Sequence, residues 1–195
     1  SCTLASGVTV TVSVPSGASK GAAEAQELRD GDPRRYRGRG TRQAAANVSG
    51  ALNDALAGRF FQSQADLDQA LIVLDGTPNK GRLGANALLA VSLAFARACA
   101  AERGVPLYAD LAALTGAAPA LPRPTINLFS GGQHAGGQVA IQDVLMVPLA
   151  ATNMADALAM AVEVFQCAAE LMYERYGHRL LTADEGGLAP PFENL

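Results

Sequence analysis

The chain has 195 residues, 49% of them apolar and 5% aromatic, with no tryptophan and a net charge of −3. That suits one full domain, or a small domain with part of a second, around a core of Ala, Leu and Val. The basic residues are scattered apart from Arg34 to Arg39, which argues against a nucleic-acid surface. Cys2, Cys99 and Cys167 lie far apart and read as reduced thiols, the usage of a cytoplasmic protein. No charged-then-apolar leader opens the chain.

Val8 to Val14 alternates valine with threonine or serine, so a strand with one buried face is predicted. Ser6-Gly7 is the turn before it, and Cys2 to Ala5 the tail of a partner strand. The strand stops at Pro15. Ser16 to Gly21 is then a loop of small residues, either an ordinary flexible loop or one that moves and wraps an anion. Arg29-Asp-Gly-Asp32 marks a turn. Thr41 to Leu56 carries Ala45, Val48, Leu52 and Leu56 at spacings of three and four, an amphipathic helix. A shorter helix runs from Gln64 to Leu74, and a loop from Leu74 to Lys80. Leu83 to Arg103 is the most apolar stretch. Asn86, Ser92 and Arg97 interrupt it and alanine dominates, which favours a buried helix over a membrane span. Pro106 to Leu114 is a short helix closing at Gly116, and the Ala- and Pro-rich residues 117–124 form a connector.

Beyond the connector, Thr125 to Phe129 and Val139 to Val147 read as strands on either side of Ser130 to Gln138, where four glycines surround His134. That loop is either a glycine-rich hairpin with a surface histidine or a close-approach loop whose histidine reaches a bound anion. Thr152 to Tyr176 is a long helix with Leu158, Val162, Phe165, Ala169 and Met172 in one stripe. Asn153 and Asp156 stand at its start and Gly177 at its end. Leu180 to Thr182 can enter another strand before Asp184-Glu185-Gly-Gly. The element order fits an α+β domain followed by the opening of an α/β body.

The candidates for chemistry are few. Asp143 and Glu185 each sit at the end of an apolar strand-like run, the position that faces the active site in α/β bodies. Two carboxylates near one another, or against an apolar wall, can divide into an acid and a charged stabiliser. The plainer readings are a polar position on a half-exposed strand for Asp143 and an acidic turn for Glu185. Lys20 and Lys80 are the chain's two lysines, so a lysine base must be one of them or lie outside these residues. His178, next to Gly177 at a helix end, reads as structural.

Seven stretches together resemble the enolase family of glycolytic phosphopyruvate hydratases. They are Val14-Pro-Ser-Gly-Ala-Ser19; Glu27-Leu-Arg-Asp-Gly-Asp32; Leu74-Asp-Gly-Thr77 with Asn79-Lys80; Leu83-Gly-Ala-Asn-Ala87 with Val91-Ser-Leu-Ala94; Val105-Pro-Leu-Tyr108; Gly131-Gly-Gln-His-Ala-Gly136; and Asp184-Glu-Gly-Gly187. Each is modest alone, but their order and spacing are specific and they span nearly the whole chain. The resemblance implies an α+β N-terminal domain over 1–116, the connector 117–124, and over 125–195 the opening β-β-α elements of an enolase-type α/β barrel. It also implies a Mg²⁺-dependent lyase that dehydrates 2-phosphoglycerate to phosphoenolpyruvate, a cytoplasmic homodimer with no nucleic-acid or membrane partner. By residue, it implies substrate and metal contact at Ser19, substrate contact at His134 and Gln142, and catalytic roles for Glu185 and Asp143.

Three departures from the family pattern stand out. Asp143 replaces the family's glutamate and is one methylene shorter, Lys20 replaces threonine, and Ser-Arg-Gly-Asn-Pro-Thr does not precede Thr3. A shift of about 1 Å at a catalytic group can cost roughly 10²-fold in rate. Residues 125–195 are too few to close a β/α barrel, which takes about 250. The chain is therefore expected to be the front of a longer enolase, carrying part of the active site and inactive alone. The other reading is a non-catalytic enolase-like partner or scaffold.

Overall fold

The computed structural model describes residues 1–17, 21–177 and 181–191, and the chain forms two compact units, Ser1–Pro119 and Ala120–Leu195. Ser19, Lys20, His178 and Leu180 lie outside the described residues.

In the first unit, β1 (Cys2–Thr3) pairs antiparallel with β2 (Thr9–Val10), Cys2 opposite Val10 and Thr3 opposite Thr9. The predicted strand from Val8 to Val14 is thus much shorter as a paired element. Its alternation survives in burial: Val8, Val10, Val12 and Val14 are half-buried, while Thr9, Thr11 and Ser13 are exposed. The limit is the partner, since β1 offers only two residues to a ladder. Thr3 and Thr9 hydroxyls meet across the pair at 2.9 Å.

The predicted helix at Thr41 to Leu56 is α1 (Arg42–Asn47), a π-helical turn (Val48–Leu52) and α2 (Asn53–Leu56). Its inward face is Ala44, Val48, Leu52 and Leu56, with Ala44 in place of the expected Ala45. Steps of four drift by about 40° each on an α-helix of 3.6 residues per turn. The wider π turn takes up that drift and keeps Leu52 and Leu56 on the core side. The start of α1 is capped from far along the chain. The Asp30 carboxylate accepts from the Gln43 and Arg42 N–H groups at 2.9 and 3.0 Å. Those two hydrogen bonds hold its carboxyl below the usual value.

α3 (Gln64–Asp75) begins at Ser63, whose hydroxyl accepts from Asp66 N–H at 3.1 Å. α4 (Ala85–Glu102) is the axis of the unit and packs against α1, α3, α5 (Leu107–Thr115), β1 and β2. With a mean hydropathy of 1.3 it is long and apolar enough to cross a membrane. Its buried Ala87, Leu88, Ala94 and Ala98 instead give it the face of a core helix. Leu52, Leu67, Leu71, Leu83 and Leu88 form the centre, and Phe61 meets Phe95 edge-to-face at 6.2 Å beside them.

Two carboxylates are buried in this unit among the described residues, Asp75 and Asp110. Asp75 is 1% exposed at the end of α3. Its carboxylate accepts from Leu83 N–H at 2.7 Å, from Thr77 N–H at 3.0 Å and from the Thr77 hydroxyl. Burial pushes its carboxyl up, but these hydrogen bonds outweigh burial and leave it below the ordinary value. The segment read from sequence as a plain loop, Leu74 to Lys80, is therefore an anchored corner joining α3 to α4.

The second unit begins with β3 (Ile126–Ser130) and β4 (Asp143–Met146), an antiparallel pair joined by the glycine loop. The predicted second strand at Val139 to Val147 loses its first four residues to the loop. There Gly132 N–H donates to Val139 C=O at 2.9 Å and Gly131 N–H to Gln142 C=O at 2.7 Å. α6 (Met154–Tyr176) follows, with the Asn153 side chain accepting from Asp156 N–H at 2.9 Å. Its buried face runs through Ala157, Ala161 and Ala169, with Phe165 and Met172 half-buried. Leu158 and Val162 of the predicted stripe are exposed, because steps of four from Ala157 select the neighbouring row, about 100° round the helix. The described residues form the strand-strand-helix opening of a barrel and no closed barrel.

Candidate active site

The site is built where β3 ends, β4 begins and the Asp184-Glu-Gly-Gly turn arrives. Asp143 is the first residue of β4, directly opposite Ser130, the last of β3. It therefore stands not at the end of its own strand, as the sequence suggested, but at the end of its partner. Between Asn127 and Phe129 the ladder carries a bulge. Residues three apart on a regular strand point to opposite faces. The extra residue, Leu128, brings Asn127 and Ser130 to the same side. Both then reach one carboxylate: Asn127 Nδ2 donates to Asp143 Oδ1 at 2.5 Å, and Ser130 Oγ donates to the same oxygen at 3.2 Å. Asn127 Nδ2 also donates to Ser130 Oγ at 2.9 Å. Ser130 is buried, and Asn127 Oδ1 is a buried acceptor without a partner among the described residues.

The acidic turn is held against β3 on the side away from β4. Ser130 N–H donates to Leu188 C=O and Leu188 N–H to Leu128 C=O, each at 2.9 Å, a short parallel bridge around the buried Leu188. Gly187 makes this approach possible. A Cβ there would lie 2.5 Å from Ser130 Oγ and 2.8 Å from Asn127 Oδ1. The turn closes through Ala183 N–H to Gly187 C=O at 2.9 Å.

His134 lies in a single 3₁₀ turn, Gly132–Ala135, and its side chain is 7% exposed. Gly131 lets the loop root pass close to the returning chain, since a Cβ would fall 2.2 Å from Ile141 C=O. The ring is gripped by the acidic turn: Nδ1 is 2.9 Å from Asp184 Oδ1, and Nε2 is 3.9 Å from Glu185 Oε1. The Glu185 side chain remains 43% exposed.

Of the residues singled out from sequence, the structure brings His134 and Glu185 together and places Asp143 in a separate hydrogen-bonded cluster with Asn127 and Ser130. Gln142 is exposed and takes part through its backbone carbonyl, which accepts from Gly131 N–H. Asp184, Asn127 and Ser130 were not singled out. A signal exists for Asn127, a polar residue inside the apolar run Thr125 to Phe129, while Ser130 reads as the start of the glycine loop. Among the described residues no group of three or more His, Cys, Asp or Glu side chains is arranged to hold a metal ion. A recess of about 240 Å³ between α2 and α3 is lined by Leu56, Arg59, Val73 and Leu74, is apolar, and belongs to the first unit.

Comparison with known proteins identifies the family. Residues 1–111 match the family model of the enolase N-terminal domain, and residues 118–194 that of the enolase C-terminal TIM barrel domain. The chain is 49% identical over 179 residues to Enolase 1 of Entamoeba histolytica. That match covers 91% of this chain and 41% of the relative, so the chain spans less than half the length of the protein it resembles. With both domain models matched in order along nearly all of its length, the chain belongs to the enolase family.

Proposed function

We propose that this chain supplies the acid side of an enolase-type lyase, which dehydrates 2-phosphoglycerate to phosphoenolpyruvate. The observation that carries this reading is the pairing of His134 with Glu185 on two adjoining turns at the end of β3. In the dehydration, a base outside these turns takes the proton beside the substrate carboxylate. The Glu185 carboxyl then gives its proton to the departing hydroxyl, which leaves as water. His134, held by Asp184, contacts the substrate from the glycine loop. Asp143, with one oxygen held by Asn127 and Ser130, leaves its other oxygen for the substrate side.

Family membership implies a divalent metal, and we take it to be Mg²⁺. The described side chains do not form a cage for it: Asp143 is engaged by Asn127 and Ser130, Asp184 by His134, and no three such groups converge. Ser19, the metal and substrate contact implied by resemblance, is outside the described residues. No step is therefore drawn through the ion. By the same resemblance the working form is a cytoplasmic homodimer acting on a small-molecule substrate, with 1–116 and 125–195 as its domain segments.

The test is a chimera joining residues 1–195 to the remaining barrel of the Entamoeba relative, assayed by absorbance for phosphoenolpyruvate. Turnover is expected from the chimera and none from the 195-residue chain, whose described residues include neither the base nor a metal cage. Clear turnover by the short chain, or an inert chimera that is folded and loaded with Mg²⁺, would overturn the reading.

A further inference from the structure

We propose that Asp184 is a positioning residue: it fixes His134 as the Nδ1–H tautomer and so makes Nε2 the working nitrogen of the glycine loop. The inference rests on the site described above and adds to it a residue that the family motif does not by itself assign a task.

The argument is one of donors and acceptors. An ionised carboxylate can only accept, and a neutral imidazole carries one N–H. Asp184 Oδ1 lies 2.9 Å from Nδ1, an ordinary hydrogen-bond length. The ring is 7% exposed, and the Asp184 carboxylate that meets it is 57% exposed. Nδ1 must then hold the hydrogen, and Nε2 is left with its lone pair. That lone pair is on the side of Glu185, whose Oε1 is 3.9 Å away, beyond hydrogen-bond length. A closure of about 1 Å would bring the two into contact. Nε2 could then accept a hydrogen bond from the Glu185 carboxyl, steering the O–H whose proton goes to the departing hydroxyl. With the opposite tautomer Nε2 would carry a hydrogen, and this path would be closed. Two adjacent acids on one turn thus divide the ring between them, Asp184 at Nδ1 orienting it and Glu185 on the side of Nε2.

The tautomer of His134 is the direct readout of this contact. The chain has two histidines, so ¹⁵N spectra of the rings contain two spin systems, and His178→Gln identifies His134. At a pH where both rings are neutral, the proton is expected on Nδ1 of His134 in the parent chain. Asp184→Ala should move it to Nε2, the usual preference of a free imidazole. Asp184→Glu, whose carboxylate can still only accept, should keep it on Nδ1. A parent spectrum with the proton on Nε2 overturns the proposal, as does an unchanged tautomer in a folded Asp184→Ala chain. The same spectra from the chimera decide the question if the short chain associates. Failure of the lyase reading looks different: Glu185→Gln would leave the chimera fully active while the Nδ1–H signal persisted.

Discussion

The two units differ in what they bury: one has a leucine core, the other an alanine face. In Ser1–Pro119, Leu52, Leu67, Leu71 and Leu83 pack with Leu88 of α4, and the helix starts and corners are tied by Asp30, Ser63 and Asp75. In Ala120–Leu195, the buried face of α6 is alanine, and Val144, Leu145, Leu158, Val162 and Leu171 are exposed. The first unit has a core of its own. The second keeps its polar clusters in order at one strand end while leaving apolar surface without cover among the described residues. Local hydrogen bonding can thus assemble a site before the body around it is complete.

Truncating the two apolar sets should give the largest contrast. Leu67→Ala removes a fully buried side chain and should cost about 2–5 kcal/mol. Leu158→Ala should stay within about 0.5 kcal/mol. Urea titrations followed by circular dichroism measure both. At a concentration where the chain is monomeric, equal losses would mean that α6 is covered within the chain itself. Exposed apolar surface of this extent also predicts concentration-dependent association. Sedimentation should show Leu158→Glu shifting the chain toward monomer, and a parent that is monomeric at every concentration would remove the contrast.

Asp75→Asn should come next, at about 1–3 kcal/mol near neutral pH, because the Leu83 and Thr77 donors lose a charged acceptor. The pH dependence has a definite sign. The folded carboxyl lies below its unfolded value, so its stabilisation is complete above the ordinary aspartate value of about 3.9. It fades as pH falls through the lower folded value. The gap between parent and Asp75→Asn should therefore close in acid, and a gap that widens there would contradict the assignment.

The smallest contrast is between two caps of the same geometry. Ser63→Ala and Asn153→Ala each remove one acceptor from a helix start and should each cost about 1 kcal/mol of local helix stability. Hydrogen exchange should show the first loss spread through the leucine core and the second confined to the start of α6.

The sequence carried much of this through periodicity and motif. The helix positions were legible because apolar residues recur at three and four. Which of two neighbouring rows faces inward was not: Ala44 replaced Ala45, and Ala157 with Ala161 replaced Leu158 with Val162. A π turn and close alanine packing decide those rows, and neither leaves a mark in residue spacing. The strand from Val8 showed its alternation, but the length of its partner set its pairing. In the site, His134 and Glu185 were marked by glycine-rich motifs. The bulge at Leu128, which turns Asn127 and Ser130 onto Asp143, is a register feature that composition does not reveal. The division of labour between Asp184 and Glu185 could not be read from adjacent letters, since only distances to the two ring nitrogens separate them.

Steady-state kcat and KM of two variants in the barrel-completed chimera test the central claim most directly. Glu185, near His134 and partly open to solvent, is assigned the proton for the leaving hydroxyl. Glu185→Gln should lower kcat by about 10²–10⁴-fold, the usual loss for a positioned acid. Asp143 is held back by Asn127 and Ser130 and is a methylene shorter than the family's glutamate, so Asp143→Glu should leave kcat unchanged or raise it. A Glu185→Gln chimera as active as its parent would make Glu185 a turn residue and contradict the account.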